Sequence, residues 1–134
     1  MRWWPEPMAG EIVWCHFPDN IRPKPKARPA LVLMTKQAED ACIFVNVVYG
    51  TSQKTQRLYK GEFLISQAQN PIAYRDAGLS FDTKFNFSNA LELPFNTNYF
   101  SVPPHAPYGQ IPKMGTLHPS MVRVAGAAYA AVSD

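Results

Sequence analysis

The sequence predicts a small, strongly curved antiparallel β-sheet or barrel, mainly β, with a single C-terminal α-helix. Three observations lead there. Thirteen prolines and seven glycines are scattered along 134 residues, which shortens helices and favours strands joined by turns. Apolar, β-branched runs recur without the strand–helix alternation of a parallel sheet. Only the last segment combines helical spacing with freedom from proline after its start. At this length one domain, residues 1–134, built on one hydrophobic core is expected.

The first strand is read at Gly10 to Phe17, where Glu11, Val13, Cys15 and Phe17 alternate with Ile12, Trp14 and His16. Asn20 to Ala27, NIRPKPKA, follows as a long loop whose alternating prolines favour an extended backbone. Ala30 to Thr35, ALVLMT, is a continuous apolar strand with Pro29 at its entrance, where a missing amide does least harm. Ala41 to Tyr49, ACIFVNVVY, reads as a central strand, rich in β-branched and aromatic residues. Glu62 to Ser66 is a shorter fourth. A helical turn is expected after it, capped by Asn70, with Pro71 at its first position and Gly78 closing it. Ala90 to Leu93 and Tyr99 to Val102 are candidate late strands. The terminal helix opens at Pro119 and runs to Val132, with Met121, Val122, Ala125, Ala128, Tyr129 and Val132 on one apolar face. Arg123 is its only charge, so the sheet or another subunit is expected to cover it.

Thirteen Lys and Arg against ten Asp and Glu leave a net charge of +3, which is compatible with an anionic partner. The longest apolar stretch, Val124 to Val132, is about half of a bilayer span, so no membrane association is expected. MRWWPEPMAG lacks the apolar run of a signal peptide. Two cysteines, Cys15 and Cys42, make neither a disulfide framework nor a zinc set. A reduced, soluble, cytoplasmic protein without metal or other cofactor is the expectation.

Two segments are candidates for phosphate chemistry. Arg22, Lys24, Lys26 and Arg28 put four cations within seven residues, either as local attraction for a phosphate chain or as a solvated loop. Arg28 differs from the others because it joins loop to strand. A guanidinium anchored there can hold a phosphate through two parallel hydrogen bonds, where a mobile lysine acts as a point charge. The second segment, Gly50-Thr51-Ser52-Gln53-Lys54-Thr55, follows the central strand. Gly50 permits close backbone approach or an unusual dihedral, and Thr51 and Ser52 bring short hydroxyls. Alone, this stretch is a polar turn. His16 shares a face with Trp14 and is either a general base near neutral pH or a residue that lines the RNA groove or is half-buried. His105 and His118, in proline-rich surroundings, read as structural, and both cysteines as core residues. Tyr49 is placed to stack a base, with Phe81 and Phe85 behind it, and Lys84 to contact a phosphate. Val102 to Pro112, VPPHAPYGQIP, is a lid or a partner-binding strap. No HExxH, CxxC, paired-carboxylate or Walker motif points to another chemistry.

Taken together, GEIVWCHFPD, KPKARPALVLM and VNVVYGTSQ resemble, in order and spacing, three signature blocks of the PemK/MazF family of toxin endoribonucleases. The second half is similar more loosely, at Gly61 to Phe63, Ala77 to Leu79 and the final helix. The resemblance implies an SH3-like barrel, usually a homodimer, that cuts single-stranded RNA without a metal and is held in check by an acidic antitoxin protein. It maps the catalytic arginine onto Arg28 and the catalytic threonine onto Thr51, with Ser52 and Gln53 lining the RNA groove. Tyr49-Gly50 stand where the family often has Pro-Ile, and PDNIRPKPKA replaces its Gly-x-Glu loop; both departures bear on RNA preference and on whether cleavage is retained. The expected activity is therefore attack of a ribose 2′-hydroxyl on the adjacent phosphorus, inhibiting translation and growth. The alternative is a catalytically silent barrel that binds nucleic acid or a protein, and a third reading is gyrase inhibition, as in CcdB-type toxins of related fold.

Overall fold

A computed structural model describes residues 4–18 and 26–133. Six strands, β1 (Glu11–Cys15), β2 (Arg28–Gln37), β3 (Ile43–Thr51), β4 (Glu62–Ile65), β5 (Thr83–Pro94) and β6 (Lys113–Thr116), form one sheet in the order β4-β5-β3-β2-β1-β6. Every pairing is antiparallel. The sheet is curled into a half-barrel with β4 and β6 at its edges. Register shifts at Ile12/Val13, Val32/Met34 and Val48/Tyr49 supply the bends, since a bulge kinks its strand and raises the local twist.

Alternate residues feed two apolar clusters. Ile12, Leu31, Val48, Phe63 and Phe85 point to one, which α1 (Pro71–Asp76) and the terminal helix cover through Ala73, Met121, Ala125 and Ala128. Val13, Cys15, Ala30, Val32, Val45 and Val47 point to the other, sealed by Leu93 and Phe100. Both clusters are nearly dry, and a buried side chain of this size contributes about 1.5–3 kcal/mol.

The terminal segment begins as a 3₁₀ turn, Pro119–Met121, and continues as α2 (Val122–Val132). His118 caps it: its Nδ1 accepts the Ser120 N–H at 3.1 Å, a structural role as expected. The anticipated apolar face is only half covered, because Val122 and Tyr129 stay exposed while Tyr129 meets Phe87 edge-on. In α1, Pro71 and Gly78 stand where expected, but Asn70 makes no side-chain cap. Its Oδ1 accepts the Ser66 N–H instead, at 3.1 Å.

Other expectations need correction. β5 is twelve residues long and takes in both Ala90 to Leu93 and the unanticipated stretch from Thr83. Tyr99 to Val102 is no strand; it touches the sheet by a single bridge, Cys15 to Phe100. β6 was not anticipated at all. Most of the NIRPKPKA loop, with Arg22 and Lys24, lies outside the described residues.

Candidate functional site

Arg28 is the first residue of β2 and pairs with Cys15 of β1, so its backbone is held in the sheet and its side chain is half-buried. On the other side, β2 and β3 pair as Leu31↔Val48 and Ala30↔Tyr49. That ladder ends at Ala30↔Tyr49, and Arg28 and Thr51 each lie two residues beyond it. Arg28 is thus brought to the same sheet end as Thr51, the last residue of β3. Among the described residues the guanidinium has no ion-pair partner.

Thr51 Oγ1 accepts the Gln53 N–H at 3.1 Å, a short side-chain turn that sets the hydroxyl direction; Ser52 and Gln53, which follow, are exposed. Gly50 shows why the strand needs glycine there. A Cβ would lie 2.6 Å from the Pro29 carbonyl oxygen and 2.8 Å from the Phe85 ring, so close approach, of the two expected reasons, is the one at work. Tyr49, on the Thr51 face, packs edge-on against Phe17 at 4.9 Å and is half-buried. Lys26 is exposed beside Arg28. Lys24 lies outside the described residues.

His16 is tied to the segment after β5: its N–H donates to the Tyr99 carbonyl and its Nε2 shares a 2.9 Å hydrogen bond with Ser101 Oγ. This matches the half-buried alternative for that residue. Lys84 is a correction. Its side chain is almost fully buried, paired with Glu62 at 3.0 Å, bonded to the Arg57 carbonyl at 2.9 Å and seated over the Tyr59 ring. A charge so enclosed clamps the loop after Thr51 rather than offering itself to a phosphate. Phe85 is core, and burial pushes the Cys15 thiol well above its ordinary pKa, leaving an inert neutral group.

Thr51 stays outside a cavity of about 610 Å³ that Lys26, Arg28, Gly50 and Ser52 line. Its far walls come from segments that sequence reasoning did not connect with the site. One is the turn after α1, where the Leu79 N–H bonds the Tyr74 carbonyl and the Gly78 N–H the Arg75 carbonyl. Gly78 sits there at φ +71°, the left-handed conformation this closure requires. The other wall is the proline strap, through Pro103, Pro104, His105 and Pro107. The strap was singled out, but nothing in its composition tied it to Arg28. Among the described residues no cluster of three or more His, Cys, Asp or Glu could hold a metal ion, and no helix is long and apolar enough to cross a membrane.

A family model described as "PemK-like, MazF-like toxin of type II toxin-antitoxin system" matches residues 8–81, more than half of the chain. No curated protein matches the chain significantly. The matched span contains β1 to β4, α1, Arg28 and Thr51, and ends before β5 and the strap.

Proposed function

Since the chain belongs to the PemK-like, MazF-like toxin family of type II toxin–antitoxin systems, whose members are generally endoribonucleases, we propose that it cleaves single-stranded RNA without a metal, through Arg28 and Thr51. The observation that supports the reading is the β2–β3 register, beyond whose last pair, Ala30 with Tyr49, Arg28 and Thr51 both lie at one end of the sheet; of the two, Arg28 also lines the cavity.

The chemistry follows from the groups. Attack of a ribose 2′-hydroxyl on the adjacent phosphorus, its proton passing to solvent, forms a phosphorane; the P–O5′ bond then breaks, the 5′-oxygen takes a proton from solvent, and a 2′,3′-cyclic phosphate is left. Charge gathers on the non-bridging oxygens and on the leaving oxygen. The Arg28 guanidinium, anchored by its backbone, offers parallel N–H donors to those oxygens at little cost in reorganisation. Thr51 Oγ1 already accepts one hydrogen bond, so its O–H remains to donate to a phosphate oxygen. Holding nucleophile and phosphorus in line adds to the same barrier reduction. Ser52, Gln53 and Lys26, all exposed nearby, extend the contact to the flanking backbone. Membership of a type II toxin family implies an antitoxin protein partner. A homodimer is part of the proposal.

The test is incubation of purified protein with a single-stranded oligoribonucleotide in excess EDTA. Cleavage leaving a cyclic phosphate end is expected, with no cut where the attacking nucleotide carries 2′-deoxyribose. RNA binding without any product would favour the silent barrel, for which the Tyr49-Gly50 departure speaks.

A further inference from the structure

The cavity beside Arg28 is larger than a phosphate needs. At about 610 Å³ it lies in the range of sites that enclose a drug-sized ligand. Rings and hydrogen-bonding groups are distributed over its walls. Trp14 and Tyr74 contribute from the sheet and α1, and Phe81 stands at the rim, 70% exposed. Gln67 and His105 bring groups able to read a base edge, and Arg75 adds a third cation to Lys26 and Arg28. None of the lining residues is acidic; Asp76 pairs with Arg75 at 3.4 Å, so Lys26 and Arg28 carry the walls' attraction for an anionic strand.

The rim is preorganised. Thr83 Oγ1 donates to the Phe81 carbonyl at 2.8 Å, and Asp82 Oδ1 accepts the Gln67 N–H at 2.9 Å. Burial, and then the nearby Asp82 carboxylate, push the Tyr74 hydroxyl above its ordinary pKa, so it stays a neutral donor. The strap forms the opposite wall and lies beyond the matched span, residues 8–81.

We propose that this cavity is a nucleobase subsite: it receives one unpaired base next to the scissile phosphate, stacked against Phe81 and Tyr74 and bounded by the strap residues 103–107. The inference rests on the ribonuclease reading above and names which part of the RNA the enzyme grips. Unpaired bases splayed from a single strand and stacked on rings are the usual currency of such recognition.

The experiment uses the full chain and a short oligoribonucleotide, either intact or abasic at one position beside the cut. Phe81→Ala is expected to raise KM about tenfold with kcat nearly unchanged, the size of one lost base–ring stack. Arg75→Ala, at a side chain 75% exposed, should raise KM in the same direction without disturbing the fold. In the wild type an abasic nucleotide should cost a similar factor, and in Phe81→Ala it should cost nothing more. Unchanged KM in both variants, or an abasic penalty that persists in Phe81→Ala, overturns the subsite while cleavage itself continues. A Phe81→Ala protein that loses a protein partner but keeps its RNA KM assigns the cavity to that partner and also overturns it. Absence of both cleavage and RNA binding in the wild type removes the ribonuclease reading and the subsite together.

Discussion

Cys15 pairs with Arg28 across β1 and β2, yet the two groups have opposite fates. The thiol is sealed in the core and its pKa is raised by burial, while the guanidinium sits half-exposed at a cavity wall. The thiol has a measurable consequence. Above about pH 8.5 an unfolded cysteine loses its proton while folded Cys15 keeps it, so the native state holds more protons than the unfolded one. Stability must then fall as pH rises, by about 1.4 kcal/mol per pH unit for this one group once its unfolded form is ionised. Urea unfolding between pH 8 and 10 should show this slope in the wild type and a flatter one in Cys15→Ala. Equal slopes would mean the thiol is not protected. Tyr74, also raised, adds a loss of the same sign only from about pH 10.

Among the elements, β4, β5 and the loop from Ser52 to Gly61 act as a unit around Lys84. Glu62 Oε1 takes both the Lys84 ammonium and the Tyr59 N–H, and Lys84 lies opposite Thr51 in the β3–β5 ladder. Lys84→Met should therefore cost about 3–5 kcal/mol in denaturant unfolding, because it strands a buried carboxylate. Replacing both partners, as Lys84→Met with Glu62→Leu, should recover most of that loss; no recovery would mean the clamp does not work through the pair. The same element explains what sequence reading could not reach. Strands β1 to β4 announce themselves by apolar runs, but Lys84 reads as surface charge and hides the start of β5. Four residues, Lys113 to Thr116, carry no strand signal, and only the free edge of β1 makes them β6. Arg28 and Thr51 were legible because a strand entrance and a strand end carry the signature residues. The cavity was not, since Tyr74, Phe81 and His105 meet there from segments far apart in sequence.

At the scale of the whole molecule, the half-barrel does one thing for function: its antiparallel register sets the start of β2 against the end of β3. Helix α1 and the strap then wall off the cavity at that same end. Everything proposed about activity depends on Arg28 and Thr51 meeting one phosphodiester there. Single-turnover cleavage of RNA in excess EDTA by wild type, Arg28→Ala, Thr51→Ala and the double variant tests this most directly, with circular dichroism to show that each is folded. Loss of cutting in Arg28→Ala is expected, at least 10²–10³-fold, as for removal of a donor aimed at developing charge. The double variant should be little worse than Arg28→Ala alone, because groups that act as a unit are not additive. A folded Arg28→Ala protein that cuts at the wild-type rate would contradict the account.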